Sequence, residues 1–550
     1  MKLYECIDKY IGKFGVKKIF GVPGSLIMPV WQNIHSAELI LCSHEQEASY
    51  LAVGYSKMSR EPVMVLTTGG PGVTNCVSGI AAANLDSLPL IYISGRTPSN
   101  PKNHGLRQEE GDFDRCYDSN AIMRSVTKQS ICITDPECAA RDIYKAFQCA
   151  VSGRMGSVHI SIPVDIQQAE ITENVGKEYG ESRPAEGNAE SCVQEFTHWT
   201  EECKRRLFVM GWGCWLADAS DAVYQLAEQM GAPVICTVKA YCCMKKNAFL
   251  LGKLGYGYNR ILSDFVRSYD PQEIFVFGSS VSSKDFSDEF VSDIGDAEIH
   301  MFSIGGSAPE CGISNVFRHR ISSLKDLSAR VQKKTAMERE QIKKEILACR
   351  HAQMEYYHSF SEGQKLAALC KEISDLIVNE KVTVTADAGN HLLDAATGIW
   401  SEFQKNLFLD DGIRAMGSGI CETVGMAFAD SERSYIAVTG DGCMLMNGNV
   451  MYVAKKYHLP VIFLVINNSS LGRVRVGQMN TNQFVQSDLG GIDFAGYAGA
   501  FGMKANRTAD VQECIRMLQE CLNEREPALI ELQISKDEIP IMLKAGGVWN

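Results

Sequence analysis

The sequence lacks long apolar runs and clusters of basic residues. No window of its 550 residues stays apolar over the length needed to cross a bilayer. The net charge is −12, and no run of lysine and arginine forms a basic patch, which argues against a nucleic-acid partner. The opening residues, Met1 to Glu5, place an acidic side chain where a signal peptide would carry apolar residues. We therefore expect a cytoplasmic protein that binds neither membranes nor nucleic acids.

Two common cofactor patterns are also missing. Among the 20 cysteines, Cys242 and Cys243 are too close together for zinc spacing, and no Cys/His cluster indicates a metal site. In a reducing compartment the cysteines are expected to be free thiols that fill the core. The segment Gly211-Trp212-Gly213 lacks the third glycine of a dinucleotide fingerprint. This absence disfavours an NAD-dependent dehydrogenase and favours a packing role for these glycines.

The length and the order of apolar segments predict three domains. Strand-like apolar runs alternate with helical patterns in three blocks, 1–170, 190–335 and 360–550, which predicts an α/β fold with three doubly wound parallel-sheet domains. A polar segment at 171–197 is predicted to be a linker. The charged helical pattern of 325–357 predicts a solvated connector helix.

The most informative segment runs from Tyr435 to Gly472. A buried strand is followed by Gly440-Asp441-Gly442, a helix, a second apolar strand and the pair Asn467-Asn468, which is the pattern of a parallel βαβ unit. Because parallel strands end at the same edge of a sheet, we expect Asp441 and Asn468 to lie side by side. A carboxylate and an amide oxygen suit a hard cation such as Mg²⁺ that is also held by phosphate oxygens.

This segment resembles the cofactor motif of thiamine-diphosphate (ThDP) enzymes. Further blocks follow in the order of the acetolactate synthase (acetohydroxyacid synthase) type, and the resemblance covers nearly the whole chain. The matching blocks are IFGVPGSLIMPVW, SHEQEASYLAVGY, TTGGPGVTN, SGRMGSVHISIPVDI, AGNHLL, RAMGSGICETVGMA and EPALIEL. The resemblance implies a pyrimidine-binding domain, a central domain and a diphosphate-binding domain.

For the diphosphate half of the site, the resemblance implies a Mg²⁺ ion held by Asp441, Asn468 and the carbonyl of Ser470. Met416 matches the apolar residue that bends the cofactor, with ordinary core packing as the alternative. The other positions that match cofactor-contacting residues of this half are Asn390, His391, Gly440, Gly442, Cys443, Leu471 and Gly472.

For the pyrimidine half, the resemblance assigns Glu45 as the carboxyl group that hydrogen-bonds to the ring nitrogen N1′ and so promotes the imino form of the cofactor. The alternative for Glu45 is a first-turn charge that complements a helix dipole. Glu47, in the same block, is not assigned.

Other residues of the first domain complete the assignments carried over from the family. Pro23, Gly24 and Asn75 match cofactor-binding positions, and Gln108 and Lys128 match polar positions that face the substrate, with simple surface polarity as an equal alternative. In this family the first domain of one subunit faces the third domain of its partner. The resemblance therefore implies a homo-oligomer, a dimer or a tetramer, with active sites at the dimer interface.

Several segments depart from the acetolactate synthase pattern. Arg107, Cys421 and Glu422 replace the expected residue types, and the segment after the asparagine pair carries Arg473 and Arg475. The stretches that contact FAD in some relatives are not recognisable in KAYCCMKKNAF or GKLGYGYN, so FAD in the central domain stays open.

The resulting functional prediction is a ThDP- and Mg²⁺-dependent carboligase. It would decarboxylate a small 2-oxo acid such as pyruvate and transfer the acyl carbanion to an acceptor carbonyl, and the arginines after the asparagine pair are either an anion site for that acceptor or solvated side chains. One alternative is a decarboxylase that releases an aldehyde without ligation. Another is a non-catalytic subunit that keeps the fold.

Overall fold

The computed structural model of the chain contains three α/β domains. The predicted linker 171–197 lies outside the described residues except for Ile171. Arg107 and residues 325–333 of the predicted connector also lie outside them. The structure describes residues 1–99, 108, 117–171, 204–303, 316–320, 334–360, 362–378, 381–409 and 412–544. Each predicted domain range holds one sheet of six strands, all paired in parallel, which confirms the predicted fold class. The domain boundaries themselves stay predictions.

The first sheet has the strand order β2-β1-β3-β4-β6-β5. Its strands are β1 (Lys18–Val22), β2 (Glu38–Leu41), β3 (Val63–Thr67), β4 (Leu90–Arg96), β5 (Gln129–Cys132) and β6 (Val158–Pro163). Its helices are α1 (Leu3–Lys13), α2 (Met28–Trp31), α3 (Glu45–Ser59), α4 (Pro71–Leu85), α5 (Ser119–Arg124), α6 (Pro136–Val151) and α7 (Val164–Gln167). Every residue of β3 is buried, as expected for a parallel strand covered by helices on both faces.

The second sheet has the order β12-β11-β10-β7-β8-β9. Its strands are β7 (Arg206–Met210), β8 (Val234–Cys236), β9 (Leu250–Lys253), β10 (Glu273–Phe277), β11 (Glu298–Ser303) and β12 (Val316–Arg320). Its α-helices are α8 (Trp212–Leu216), α9 (Ser220–Met230), α10 (Arg260–Tyr269) and α11 (Asp288–Asp293). Two 3₁₀ helices, Val238–Cys243 and Gly255–Gly257, flank β9.

The strand order of the second sheet reverses between β7 and β10, and the loops after these two strands touch each other. The N–H of Gly213 donates to the carbonyl of Gly278 at 2.8 Å, and a Cβ at Gly211 would lie 2.5 Å from that same carbonyl oxygen. The first glycine is therefore required for close loop packing, which is the role that the sequence favoured. At this position the two loops are in direct backbone contact.

The third sheet has the order β14-β13-β15-β16-β18-β17. Its strands are β13 (Val382–Ala386), β14 (Leu407–Leu409), β15 (Ser434–Gly440), β16 (Val461–Asn467), β17 (Lys504–Thr508) and β18 (Ala528–Gln533). The helices from the connector onward are α12 (Ala336–Ser359), α13 (Lys365–Leu376), α14 (Asn390–Gly398), α15 (Ser418–Ala429), α16 (Asp441–Asn447), α17 (Val450–Lys456), α18 (Gly472–Met479), α19 (Phe494–Ala500), α20 (Val511–Glu524) and α21 (Ile541–Lys544). Helix α12 begins with a capping box formed by Thr335 and Glu338.

The first and third domains meet where α3 crosses α15. A Cβ at Gly54 would lie 1.8 Å from the carbonyl oxygen of Glu422, and a Cβ at Gly425 would lie 2.0 Å from that of Leu51. Glycine is therefore the only residue that permits this approach of the two backbones. Beside the crossing, buried Lys57 binds Glu422 at 2.8 Å, so the contact between the domains is both close and charged.

None of the helices in the described ranges combines the length and the apolar character that a membrane-spanning helix needs.

Candidate cofactor site

The predicted metal ligands come together at one edge of the third sheet. Gly440 of β15 lies opposite Ile466 of β16, so the residues that follow these strands emerge side by side. The Ser470 N–H donates both to Asp441 Oδ2 and to Asn468 Oδ1, at 3.1 Å in each case. A carboxylate oxygen and an amide oxygen thus converge on one point of the chain, as the βαβ pattern predicts.

The two asparagines of the pair have different roles, one in a turn and one at the site. Asn467 Oδ1 accepts from the N–H of Ser469 at 2.9 Å, and Ser469 is left-handed with a φ of +53°. Asn467 Nδ2 donates to Glu531 Oε1 of β18 at 2.8 Å, and Arg507 holds the other oxygen of that carboxylate at 2.9 Å. The first asparagine therefore fixes the turn, which directs Asn468 towards the site.

The carboxylate of Asp441 is buried and is held by backbone groups. Its oxygens accept from the N–H of Gly442 at 2.8 Å and from the N–H of Ser470 at 3.1 Å. Burial raises the pKa of Asp441 to about 6, and these N–H groups oppose the rise. A divalent cation bound to Asp441 would offset the cost of burying its negative charge.

A cavity of about 80 Å³ lies against these residues. Every predicted residue of the diphosphate half, from Asn390 and His391 to Gly472, lines this cavity. All the described residues that line it fall between Leu366 and Pro540, so the third domain of a single chain supplies them all.

Two glycines leave space for the side chains that line the cavity. A Cβ at Gly442 would lie 2.8 Å from Leu471 Cδ2 and 2.9 Å from Met416 Cε. A Cβ at Gly472 would lie 2.8 Å from Asn468 Nδ2. Side chains that line the cavity already press against both glycines, so a larger residue at either position would displace them.

Polar groups at the start of α14 point to an anionic ligand. His391 Nε2 is buried and has no hydrogen-bond partner among the described residues, and neither has Asn390 Oδ1, which can accept from a water molecule or another donor. Burial lowers the pKa of His391 to about 4, and a hydrogen bond to the backbone of Asp387 opposes this fall, so its imidazole is neutral near pH 7. The first backbone N–H groups of the nine-residue helix are also free for a ligand. Together with Asp441 and Asn468, these groups fit a diphosphate and its Mg²⁺ ion.

Cys443 lines the same cavity from the first turn of α16. Its thiol donates to the carbonyl of Ala388 at 3.0 Å, and burial raises its pKa well above the usual value. This hydrogen bond links the loop before α14 to the first turn of α16, and the sulfur of Cys443 is a neutral thiol.

The predicted pyrimidine half lies at the corresponding edge of the first sheet. Glu45 is the first residue of α3 and is half-buried, and its Oε2 accepts from Asn75 Nδ2 at 3.0 Å. The structure therefore brings these two predicted residues together. Because α3 begins at Glu45, its carboxylate also lies where it complements the helix dipole, which was the alternative role.

Pro23, Gly24 and Gln108 lie at the same edge of the sheet. Pro23 and Gly24 follow β1, and a Cβ at Gly24 would lie 2.6 Å from Thr68 Cβ. Gln108 Oε1 accepts from Thr68 Oγ1 at 3.2 Å, and a Cβ at Gly70 would lie 2.9 Å from Gln108 Cβ. This edge accordingly collects all but one of the predicted first-domain residues.

The exception is Lys128, which precedes β5 at the opposite, amino-terminal edge of the sheet. Its ammonium group donates to the carbonyls of Cys149 at 2.6 Å and Ser152 at 3.0 Å, at the end of α6. Within one chain this geometry gives Lys128 a helix-capping contact and offers no support for a role towards the substrate.

Glu47 has a structural environment that the sequence did not reveal. Its side chain is fully buried and accepts from Ser43 N at 3.0 Å, Ser43 Oγ at 2.5 Å and Asn449 Nδ2 at 3.2 Å. Burial raises the pKa of Glu47. Since Asn449 belongs to the third domain, Glu47 joins two domains of one chain and faces away from the cavity.

The two arginines after the asparagine pair differ in their surroundings. Arg475 is buried, binds Asp537 at 3.0 Å and lies over the ring of Phe484 with its Cζ 4.1 Å from the centroid. Arg473 is half-buried and lines the cavity. Of the two, only Arg473 lines the cavity in which a substrate would approach the cofactor.

Comparisons with known proteins agree with this geometry. The family model "Thiamine pyrophosphate enzyme, N-terminal TPP binding domain" matches residues 1–115, and "Thiamine pyrophosphate enzyme, C-terminal TPP binding domain" matches 387–532. The chain is 28% identical to a probable acetolactate synthase large subunit of Methanocaldococcus jannaschii, over 100% of this chain and 94% of the relative. It is 27% identical to the large subunit of acetolactate synthase isozyme 1 of Escherichia coli, over 97% and 94%. The two matched cofactor-binding domains and the full-length likeness to acetolactate synthase large subunits together support a thiamine-diphosphate-dependent enzyme of the acetolactate synthase type.

Proposed function

We propose that this enzyme decarboxylates a small 2-oxo acid such as pyruvate and joins the remaining acyl group to an acceptor carbonyl. The observation that carries the proposal is the convergence of Asp441 and Asn468 on Ser470 N–H, beside the amino-terminal end of α14, whose first backbone N–H groups have no capping side chain. Bound there, ThDP supplies the nucleophilic carbon and the electron sink. The curated relatives, whose names specify acetolactate synthase, support carboligation over simple decarboxylation.

The residues of this chain have separate tasks in that reaction. Asp441, Asn468 and the Ser470 carbonyl would hold Mg²⁺, and the start of α14 would hold the diphosphate. Met416 and Leu471 lie against Gly442 in the cavity wall and would help to shape the space that the cofactor needs. Glu45 would hold the proton that the aminopyrimidine needs, and Asn75 orients its carboxylate.

We further propose that the active site forms between two copies of the chain. The described residues that line the cavity all come from the third domain, while Glu45 lies half-buried at the edge of the first sheet. Leu445, Met446 and Tyr452, on the helices that follow Asp441, expose 52%, 56% and 39% of their surface, an apolar patch that suits coverage by a partner. A homo-oligomer with the first domain of one copy over the third domain of the other would cover that patch.

We also infer a cytoplasmic location. The 16 cysteines of the described ranges form no disulfide with one another, and most of them are buried, which suits a reducing compartment.

Product analysis tests the proposed reaction. Purified protein with ThDP and Mg²⁺ is incubated with pyruvate alone and with pyruvate plus candidate 2-oxo acid or aldehyde acceptors, and the products are separated by mass. A new carbon–carbon bonded product is expected, whereas aldehyde alone would indicate simple decarboxylation and no turnover would indicate a non-catalytic subunit. Native mass spectrometry of the same protein identifies bound ThDP and decides whether FAD accompanies it.

A further inference from the structure

Lys253 is a completely buried lysine at the end of β9 in the central domain. Its ammonium group donates to three carbonyls of another domain, those of Ala396 at 2.7 Å, Thr397 at 3.1 Å and Ile399 at 3.0 Å. Three acceptors match the three N–H groups of a protonated lysine. The acceptors form the carboxyl-terminal end of α14, where a cation is also favoured by the helix dipole.

The other end of α14 lines the cofactor cavity. The helix begins at Asn390 and His391, and the buried His391 Nε2 has no hydrogen-bond partner among the described residues. Nine residues of α-helix span only about 13 Å. One short rigid element therefore connects the buried lysine of the central domain to the groups that would meet the diphosphate.

The packing around Lys253 leaves little freedom. Its ammonium nitrogen lies 4.5 Å from the ring centroid of Trp400, just beyond the helix, and 5.4 Å from that of Tyr241. A Cβ at Gly257 would lie 2.5 Å from Lys253 Cβ and 3.5 Å from the carbonyl oxygen of Ala396. The close approach of the central domain fixes the lysine, and the lysine in turn fixes the end of α14.

Further contacts hold α14 from the connector helix and from the third domain, among them Ser374 Oγ, which donates to the carbonyl of Gly398 at 3.2 Å. Asp394 Oδ1 accepts from the N–H of Ile541 at 2.9 Å, and a Cβ at Gly398 would lie 2.5 Å from the ring of Tyr357. None of these contacts places a basic side chain at the helix end. Lys253 brings its amino group there from the central domain, and burial lowers the pKa of that group to about 7.

We propose that Lys253 is a positioning residue through which the central domain sets the place of the diphosphate-binding end of α14. The proposal rests on the proposed function, because it requires the diphosphate to bind at that end. It assigns a role in cofactor binding to the central domain, which supplies none of the described residues that line the cavity.

The substitution Lys253→Met tests the proposal, because methionine keeps most of the apolar side chain and removes all three donors. We expect a folded protein whose dissociation constant for ThDP, measured by calorimetry in excess Mg²⁺, rises about tenfold. Hydrogen exchange of residues 390–398 should be faster in the variant before any cofactor is added. A purely structural lysine would lower the melting temperature and leave both the dissociation constant and this exchange unchanged, and that result would overturn the proposal.

Arg525→Met is the matched control. Arg525 also donates to two main-chain carbonyls of the third domain, Ser431 at 2.7 Å and Glu432 at 3.0 Å, but it does not line the cavity. Its loss should leave ThDP binding unchanged. Lys253→Arg, which restores donors, should recover part of the affinity.

A measurement on the unaltered protein keeps the proposal testable if Lys253→Met does not fold. Because coupling is reciprocal, ThDP with Mg²⁺ should slow hydrogen exchange in residues 250–257 of the central domain. If ThDP binds but hydrogen exchange in residues 250–257 stays unchanged, the proposed role of Lys253 is contradicted and the proposed function is not. Failure of the unaltered protein to bind ThDP would instead contradict the proposed function.

Discussion

The two halves of the site differ in how much of their surroundings one chain supplies. In the third domain, Asp441 and Asn468 converge on one N–H group, and residues of that domain line the cavity beside them. In the first domain, Glu45 is half-buried and Asn75 donates to its carboxylate. One chain therefore supplies the described lining of the proposed diphosphate half, whereas Glu45 of the proposed pyrimidine half keeps part of its surface exposed, as the proposed contact with a second copy requires.

The largest effect is expected from Asp441→Ala, which removes the charged ligand of the more complete half. Without that carboxylate, Mg²⁺ loses its only anionic protein ligand in the proposed set, and ThDP should no longer be retained. Calorimetry with ThDP and Mg²⁺ should detect no binding.

Asp493→Ala is the matched control for this prediction. Asp493 is an exposed aspartate of the same domain that caps α19 and binds Arg507. Its loss should leave ThDP binding intact, and binding by Asp441→Ala with unaltered affinity would place the metal elsewhere.

The next effect is expected from Glu45→Gln in the open half. Glutamine keeps the shape and a hydrogen bond but cannot share a proton with the aminopyrimidine. Turnover should fall by about 10³-fold, within the usual range for a group that transfers protons, while ThDP affinity stays near its original value.

Glu47→Gln is the natural comparison, because Glu47 is a carboxylate of the same helix that lies away from the cavity. It should keep most of the turnover. Near-normal turnover of Glu45→Gln, together with loss of turnover in Glu47→Gln, would show that the wrong carboxylate was assigned to catalysis.

A charge on the apolar patch tests whether a second copy closes the open half. Leu445→Arg adds a cation to an exposed surface, so a monomer should tolerate it. In an oligomer that buries the patch, association should weaken, and turnover should fall by about tenfold or more at low protein concentration. Sedimentation measured with turnover across a dilution series checks both expectations, and an unchanged oligomer with full activity would show that the patch is not the interface.

Sequence reasoning worked best where a motif and the topology specify the same place. Gly440-Asp441-Gly442 and Asn467-Asn468 end neighbouring parallel strands, so their convergence follows from the register of β15 and β16. The Glu531 contact could not be foreseen, because it pairs a side chain with another strand far along the chain.

Residues that differ only in tertiary surroundings were harder to separate. Glu45 and Glu47 stand in one block, and the packing of α3 against the third domain decides which carboxylate is buried. Lys128 has a polar character that suits a substrate loop. Within one chain, however, its position before β5 places it at the amino-terminal edge of the sheet, opposite the edge that holds the other predicted residues of the first domain. No local pattern reveals that Lys253 finds three carbonyls in another domain.

A smaller effect is expected from Glu47→Ala, which tests the contact between the first and third domains. The substitution leaves Ser43 and Asn449 without their buried acceptor, at a cost of about 1 to 3 kcal/mol in the free energy of unfolding. Urea denaturation measures this loss, and ThDP affinity per folded molecule should not change. A variant of unchanged stability would mean that solvent replaces the carboxylate at this contact.

The smallest effect concerns the buried histidines of the two halves. His159, in the first domain, lies between Ser94 Oγ and Ser130 Oγ, each at 2.9 Å, and burial lowers its pKa to about 3, whereas His391 in the third domain has its Nε2 without a partner among the described residues. Between about pH 3 and 6.5 the unfolded chain binds a proton at His159 that the folded chain does not, so stability falls as the pH falls through this window and is fully present above it. His159→Gln, which can still bond to both serines, should reduce the slope of unfolding free energy against pH by at most about 1.4 kcal/mol per pH unit and leave ThDP affinity unchanged. His391→Gln should instead weaken ThDP binding, since its imidazole lines the cavity. Equal slopes in the original protein and in His159→Gln would mean that this histidine is protonated alike in both states, and the contrast between a structural and a ligand-facing histidine would then rest on His391 alone.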